Sequence, residues 1–120
     1  MALKIVHREK DGVAVLALSG GIVFGEEINA LREKVKSLLG EGKKNIVLNL
    51  CDVTVIDSKG LGALVAVYHS AKLGGASLRL CKLGSRCNEL LQVSKLDTVL
   101  DVSHTEEDAV RDMVKEASAD

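Results

Sequence analysis

The sequence predicts an α/β protein, and three observations carry that prediction. Ile46, Leu48 and Leu50 alternate as strand residues do, while Leu61, Leu64, Val65 and Tyr68 recur at helical spacing, so the apolar period changes from 2 to 3.6 within a few residues. Strand, helix closed by glycine, and strand then occur twice in succession, the pattern of a mixed or parallel sheet with helices packed on it. The chain has 120 residues and no proline-rich or low-complexity break, which suits one domain over residues 1–120. A mixed sheet of about four to five strands packed with about four helices is expected.

Residues 3–7 and 13–18 read as two antiparallel strands joined at Lys10-Asp11-Gly12, because Asp-Gly between apolar runs favours a tight hairpin. Ser19-Gly20-Gly21 should end the second strand. Ile28, Leu31, Val35, Leu38 and Leu39 mark one face of a helix over 26–39, with Glu26 and Glu27 in its first turn and Gly40 or Gly42 closing it. Residues 44–51 form a central strand, apolar enough to be covered on both faces. A largely apolar helix over 59–73 ends at Gly74-Gly75 and feeds a strand at Ser77–Cys81. Ser85 can cap a short helix carrying Leu90, Leu91 and Val93, and a short strand near 98–102 returns to the sheet. Thr105-Glu106-Glu107-Asp108 opens a last helix whose apolar face is Val110, Met113 and Val114.

Composition excludes several functions. Aromatic residues are only 2% of the chain, which disfavours base-stacking modules, and 16 basic against 17 acidic side chains form no long run of one sign. Nucleic acid is therefore not an expected partner. The apolar stretch 13–24 is broken by Ser19, Gly20 and Gly21 and is too short to span a bilayer, and no signal peptide opens the chain. No membrane insertion and a cytoplasmic location are expected. Cys51, Cys81 and Cys87 are odd in number and lack a Cys-x-x-Cys pair, while His7, His69 and His104 are scattered, so no metal site and no cofactor is predicted. Cys51 and Cys81 should behave as small strand hydrophobes.

Function is expected where the central strand passes through residues 52–58 into the second helix. Ser58 falls where an N-cap belongs, and a negative charge on its oxygen would face unpaired amides and the positive end of the helix dipole. Asp57-Ser58-Lys59-Gly60-Leu61-Gly62 resembles the Asp-Ser-Ser/Thr-Gly-Leu-Gly signature of STAS domains, the family of bacterial anti-sigma-factor antagonists. Weaker likeness extends over the layout, through Gly20, Leu96-Asp97-Thr98-Val99-Leu100 and the closing Thr-Glu-Glu-Asp-Ala helix.

The resemblance implies a single STAS-like domain and a binding protein, not an enzyme. Unmodified protein would bind an anti-sigma factor serine kinase and free a sigma factor for transcription. Phosphorylation at Ser58 would abolish that binding, and a phosphatase would restore it. The alternative is a STAS subunit of another assembly, either a cytoplasmic component of a lipid-exporting ABC transporter or a stress-signalling scaffold. A nucleophilic Ser58 is disfavoured by the absence of a Gly-x-Ser-x-Gly elbow and of a nearby histidine base.

Partner binding is assigned to Asp57, Lys59, Gly60, Leu61, Gly62, Ala63 and Ala66. Asp57 either orients Ser58 or ends the loop. Gly60 and Gly62 each cost about 1 kcal/mol in a helix relative to alanine, so they serve either close approach by a partner or close packing within the chain. With Leu61, Leu64, Val65 and Tyr68 facing the core, Lys59, Gly62, Ala63, Ala66 and Ser70 would form a shallow opposite face, covered by a partner or by another helix. Three positions depart from the family: Lys59 replaces a hydroxyl residue, and Val23 and Asn49 stand where aspartates are common.

Overall fold

The computed structural model describes residues 3–23 and 25–117; the rest of the 1–120 span, including the Phe24 end of the apolar stretch, lies outside the described residues. Two strands, β1 (Leu3–Lys10) and β2 (Val13–Ile22), form the antiparallel hairpin that Asp11-Gly12 dictates. Both turn residues have positive φ, 52° and 80°, which is what a two-residue turn matched to strand twist requires. Then come α1 (Glu26–Gly40), β3 (Asn45–Ile56), α2 (Ser58–Leu73), β4 (Ser77–Cys81), α3 (Ser85–Val93), a 3₁₀ turn (Leu96–Thr98), β5 (Val102–Ser103) and α4 (Glu106–Ala117).

The sheet order is β1-β2-β3-β4-β5, and every pair after the hairpin is parallel. Each crossover steps one strand in the same direction, and right-handed crossovers then place α1, α2 and α3 on one face. The core agrees. Leu31, Val35 and Leu38 of α1, Leu61, Leu64 and Val67 of α2 and Leu91 of α3 pack with Leu16, Leu18, Ile46, Leu48 and Leu80. The alternate strand residues Val13, Val15, Val47 and Cys81 meet Ala109, Val110 and Met113 of α4 on the other face.

Glycines close the first two helices by the same hydrogen-bond pattern. Gly42 and Gly75 have positive φ, and the following residues Lys43 and Ala76 donate back to Leu38 and Ala71. At the start of α4, Thr105 Oγ1 accepts from the Asp108 amide at 3.0 Å, the capping arrangement its sequence predicts.

Several boundaries differ from expectation, each for a local reason. Gly20 and Gly21 do not end β2; they lie within it, beside β3. β3 likewise continues past 51 to Ile56. Ala17 pairs with Asn49 but Ser19 with Asp52, and Gly20 with Val53 but Gly21 with Val55, so β3 carries an extra residue at two bulges. Inward side chains consequently recur as Leu50, Val53 and Ile56, a spacing that does not read as a strand. Cys51 is exposed at the first bulge and does not act as a buried hydrophobe. Gly84, not Ser85, precedes α3, and Ser85 makes no cap. The residues expected as a strand over 98–102 are mostly the 3₁₀ turn and its exit. Val93 and Val114 are exposed, 78% and 41%, and do not join the core.

Candidate functional site

The β3–α2 junction is built on the end of β2. Ile22 and Ile56 are paired, and the Asp57 amide donates to the Ile22 carbonyl at 3.4 Å. Asp57 is extended, with φ −108° and ψ −179°, and its Oδ1 accepts from the Gly60 amide at 2.7 Å. Asp57 is therefore the N-cap, and Ser58 is the first helical residue. The expected cap moves one residue because an aspartate and a serine in succession are both good caps, and Asp57 takes the extended conformation. Its carboxylate also places negative charge at the positive end of α2.

Ser58 is released from capping. It is exposed, and its hydroxyl makes no hydrogen bond among the described residues. It lines an open cavity of about 730 Å³ between the first turns of α1 and α2, together with Lys59, Gly62, Glu26, Asn29 and Arg32. Gly25, whose φ is 136°, turns the chain into α1 on the far side. Sequence reasoning missed Arg32, because one arginine on the polar face of an amphipathic helix resembles any solvated charge.

The two glycines of the signature have different surroundings. A Cβ on Gly60 would lie 1.7 Å from the Ile22 carbonyl oxygen and 2.6 Å from its carbon, so α2 can rest on β2 only with hydrogen at this position. A Cβ on Gly62 would meet nothing within 4 Å. Leu61 is buried in the core at 7% exposure. Ala63, expected on the open face, is only 3% exposed although it borders the cavity. Ala66 is half-buried and borders a second groove between α1 and α2, with Arg32, Lys36 and Ser70. Part of the small-residue face is thus covered by α1; Val65 packs half-buried against the core as expected, and Val67 is buried within it as well. Further along α2, the Tyr68 hydroxyl donates to Asp101 at 3.0 Å.

Asn49 belongs to the other face of the sheet. Its Nδ2 donates to Glu106 Oε1 at 2.9 Å, and its Oδ1 accepts from the Cys51 amide at 2.9 Å. Glu106 also accepts from Arg8 at 2.7 Å. Burial alone would raise the Glu106 carboxyl, but the hydrogen bonds from Arg8 and Asn49 and the Arg8 charge overcome it and hold the group below its ordinary value. An aspartate at 49 would set a second carboxylate against Glu106, whereas the amide donates to it and adds to the contact between β3 and α4. Val23 is half-buried just past the end of β2.

No described helix is long and apolar enough to cross a membrane, and no cluster of three His, Cys, Asp or Glu that could hold a metal occurs among the described residues.

This arrangement, a mixed five-stranded sheet with three helices on one face, one on the other and a serine opening the second helix, defines a fold class with known members. An anti-sigma factor antagonist from Mycobacterium paratuberculosis superposes with a TM-score of 0.80 at 23% identity, covering 94% of this chain and 95% of that one. The Bacillus cell fate determinant SpoIIAA in its phosphorylated form does so with a TM-score of 0.68 at 19% identity, covering 92% and 97%. At these identities the likeness speaks for the fold. Residues 4–109 match the STAS domain, and the anti-sigma-B factor antagonist of Bacillus subtilis is 35% identical over 81 residues, 68% of this chain and 73% of that protein. The chain belongs to the STAS-domain family, as the resemblance at Asp57–Gly62 implied.

Proposed function

We propose that this protein is an anti-sigma factor antagonist whose binding to an anti-sigma factor kinase is switched off by phosphorylation of Ser58. It acts by binding and not by catalysis. The observation that carries this reading is the uncapped, exposed Ser58 hydroxyl at the mouth of the α1–α2 cavity, with Asp57 holding the helix start so that modification costs no structural hydrogen bond. Further support comes from the relative of Bacillus subtilis, which is named an anti-sigma-B factor antagonist, and from SpoIIAA, which is known in a phosphorylated form.

In the transfer, Ser58 Oγ attacks the γ-phosphorus of ATP held by the kinase. The new O–P bond forms as the bond to the β-phosphate oxygen breaks, ADP leaves with that electron pair, and the hydroxyl proton goes to a base on the kinase. The product carries about two negative charges where the free protein presents a neutral hydroxyl. The docking surface comprises Lys59, Gly62 and the rims at Ala63 and Ala66, while Asp57, Gly60 and Leu61 support it from below.

Incubating the protein with a cognate kinase and ATP, followed by mass spectrometry of its peptides, is expected to place one phosphate on Ser58. Modification at Ser19, Ser70 or Ser85 with Ser58 untouched would remove the assignment.

A further inference from the structure

We propose that Arg32, assisted by Lys59, holds the phosphoryl group on Ser58 inside the α1–α2 cavity, so that the modified protein neutralises its own phosphate. This rests on Ser58 being the acceptor. Arg32 projects from α1 and Lys59 from α2; both are exposed and both border the cavity that Ser58 borders. Neither has an ion-pair partner among the described residues, whereas Arg8, Lys43, Arg79 and Arg111 are each paired with a carboxylate. Two uncommitted cations from two packed helices therefore face one opening.

The opposing charges make these cations necessary. Glu26 of α1 borders the same cavity, and Asp57 caps the helix immediately before Ser58. A phosphoryl group added there lies near two carboxylates, and among the described residues lining the cavity only Arg32 and Lys59 are cations that offset them. The amides of Ser58 and Lys59, which have no protein acceptor among the described residues, add donors from below. A guanidinium suits this position because its planar fork can donate two parallel hydrogen bonds to phosphate oxygens, whereas the Lys59 ammonium acts as a point charge. Modification then does more than repel a partner: it fills the groove and commits both cations that a partner would otherwise meet.

The test uses the full chain with phosphoserine installed at position 58 by genetic encoding, so it does not depend on any kinase. The second ionisation of the phosphate is followed by ³¹P NMR in the otherwise unchanged chain, in Arg32→Gln, and in Lys36→Gln. Lys36 is a cation one turn along α1 that borders the neighbouring groove instead. Because a nearby cation favours the dianion, the midpoint is expected about half a pH unit higher in Arg32→Gln than in the chain retaining Arg32, with Lys36→Gln unmoved. The Arg32 Nε–H signal should also shift when phosphoserine replaces serine. Equal midpoints with and without Arg32 overturn the proposal, as would an equal displacement by Lys36→Gln, which would mean a diffuse field. A kinase that ignores Ser58 would defeat the proposed switch, yet this titration would still report whether Arg32 meets a phosphate at that position.

Discussion

Ser58→Asp is expected to weaken binding to the anti-sigma kinase at least about tenfold, on the order of 1.4 kcal/mol, while Ser58→Ala leaves it nearly unchanged. The difference follows from the junction. The Ser58 hydroxyl caps nothing, since Asp57 accepts from the Gly60 amide, so its removal breaks no structural bond. A carboxylate there must instead be desolvated as a partner closes over α2. Aspartate in the first turn of a helix is favourable with respect to the dipole, so the free variant should melt no lower than the parent. Calorimetric titration and a thermal melt on the same samples separate the two effects, and equal affinities for Ser58→Asp and the parent would refute the switch.

Opposite outcomes are expected at the two signature glycines, although both lie in the first turns of one helix. Gly60→Ala should destabilise the fold by on the order of 3 kcal/mol, because its new carbon would enter the Ile22 carbonyl and α2 would have to lift from β2. At roughly 4 °C per kcal/mol for a domain of this size, the melting temperature falls by about 10 °C or more. Gly62→Ala should stabilise by about 0.5–1 kcal/mol, since it gains helix propensity and meets open space. The propensity gain is common to both substitutions, so the difference in sign isolates the contact with β2. Gly62→Leu should remain folded yet lose partner binding by obstructing the cavity mouth. Similar melting temperatures for Gly60→Ala and Gly62→Ala would contradict this account.

Most of the architecture was legible because its signals are local. Asp11-Gly12 sets the hairpin, Gly42 and Gly75 take the left-handed positions that end α1 and α2, and Thr105 caps α4. What eluded the sequence depends on neighbours distant along the chain. The second half of β3 is hidden by its bulges, which exist only in relation to β2 and turn the strand period into three. Gly60 and Gly62 are chemically identical, and only the position of the Ile22 carbonyl tells them apart. Asn49 looked like a lost acid near the proposed phosphoacceptor; its partner is Glu106, 57 positions later, on the α4 face of the sheet. Arg32 carried no signal at all, because the cavity is made by two helices meeting. Ser58 was singled out as a candidate through the signature, but its freedom from capping became visible only once Asp57 was placed.

The bulge that exposes Cys51 separates the three thiols by reactivity. Burial pushes the Cys81 thiol up to about 12 and raises that of Cys87, so neither supplies much nucleophilic thiolate at neutral pH, and both are enclosed by the core. Cys51 alone stands open to reagent. Under native conditions a maleimide dye should therefore attach once per chain, with all three sites reacting after unfolding, as intact mass would register. The unaltered protein thus accepts a single fluorophore on β3, a few residues upstream of the helix whose first serine is the proposed switch, and an arriving partner could be followed optically without introducing or removing any cysteine.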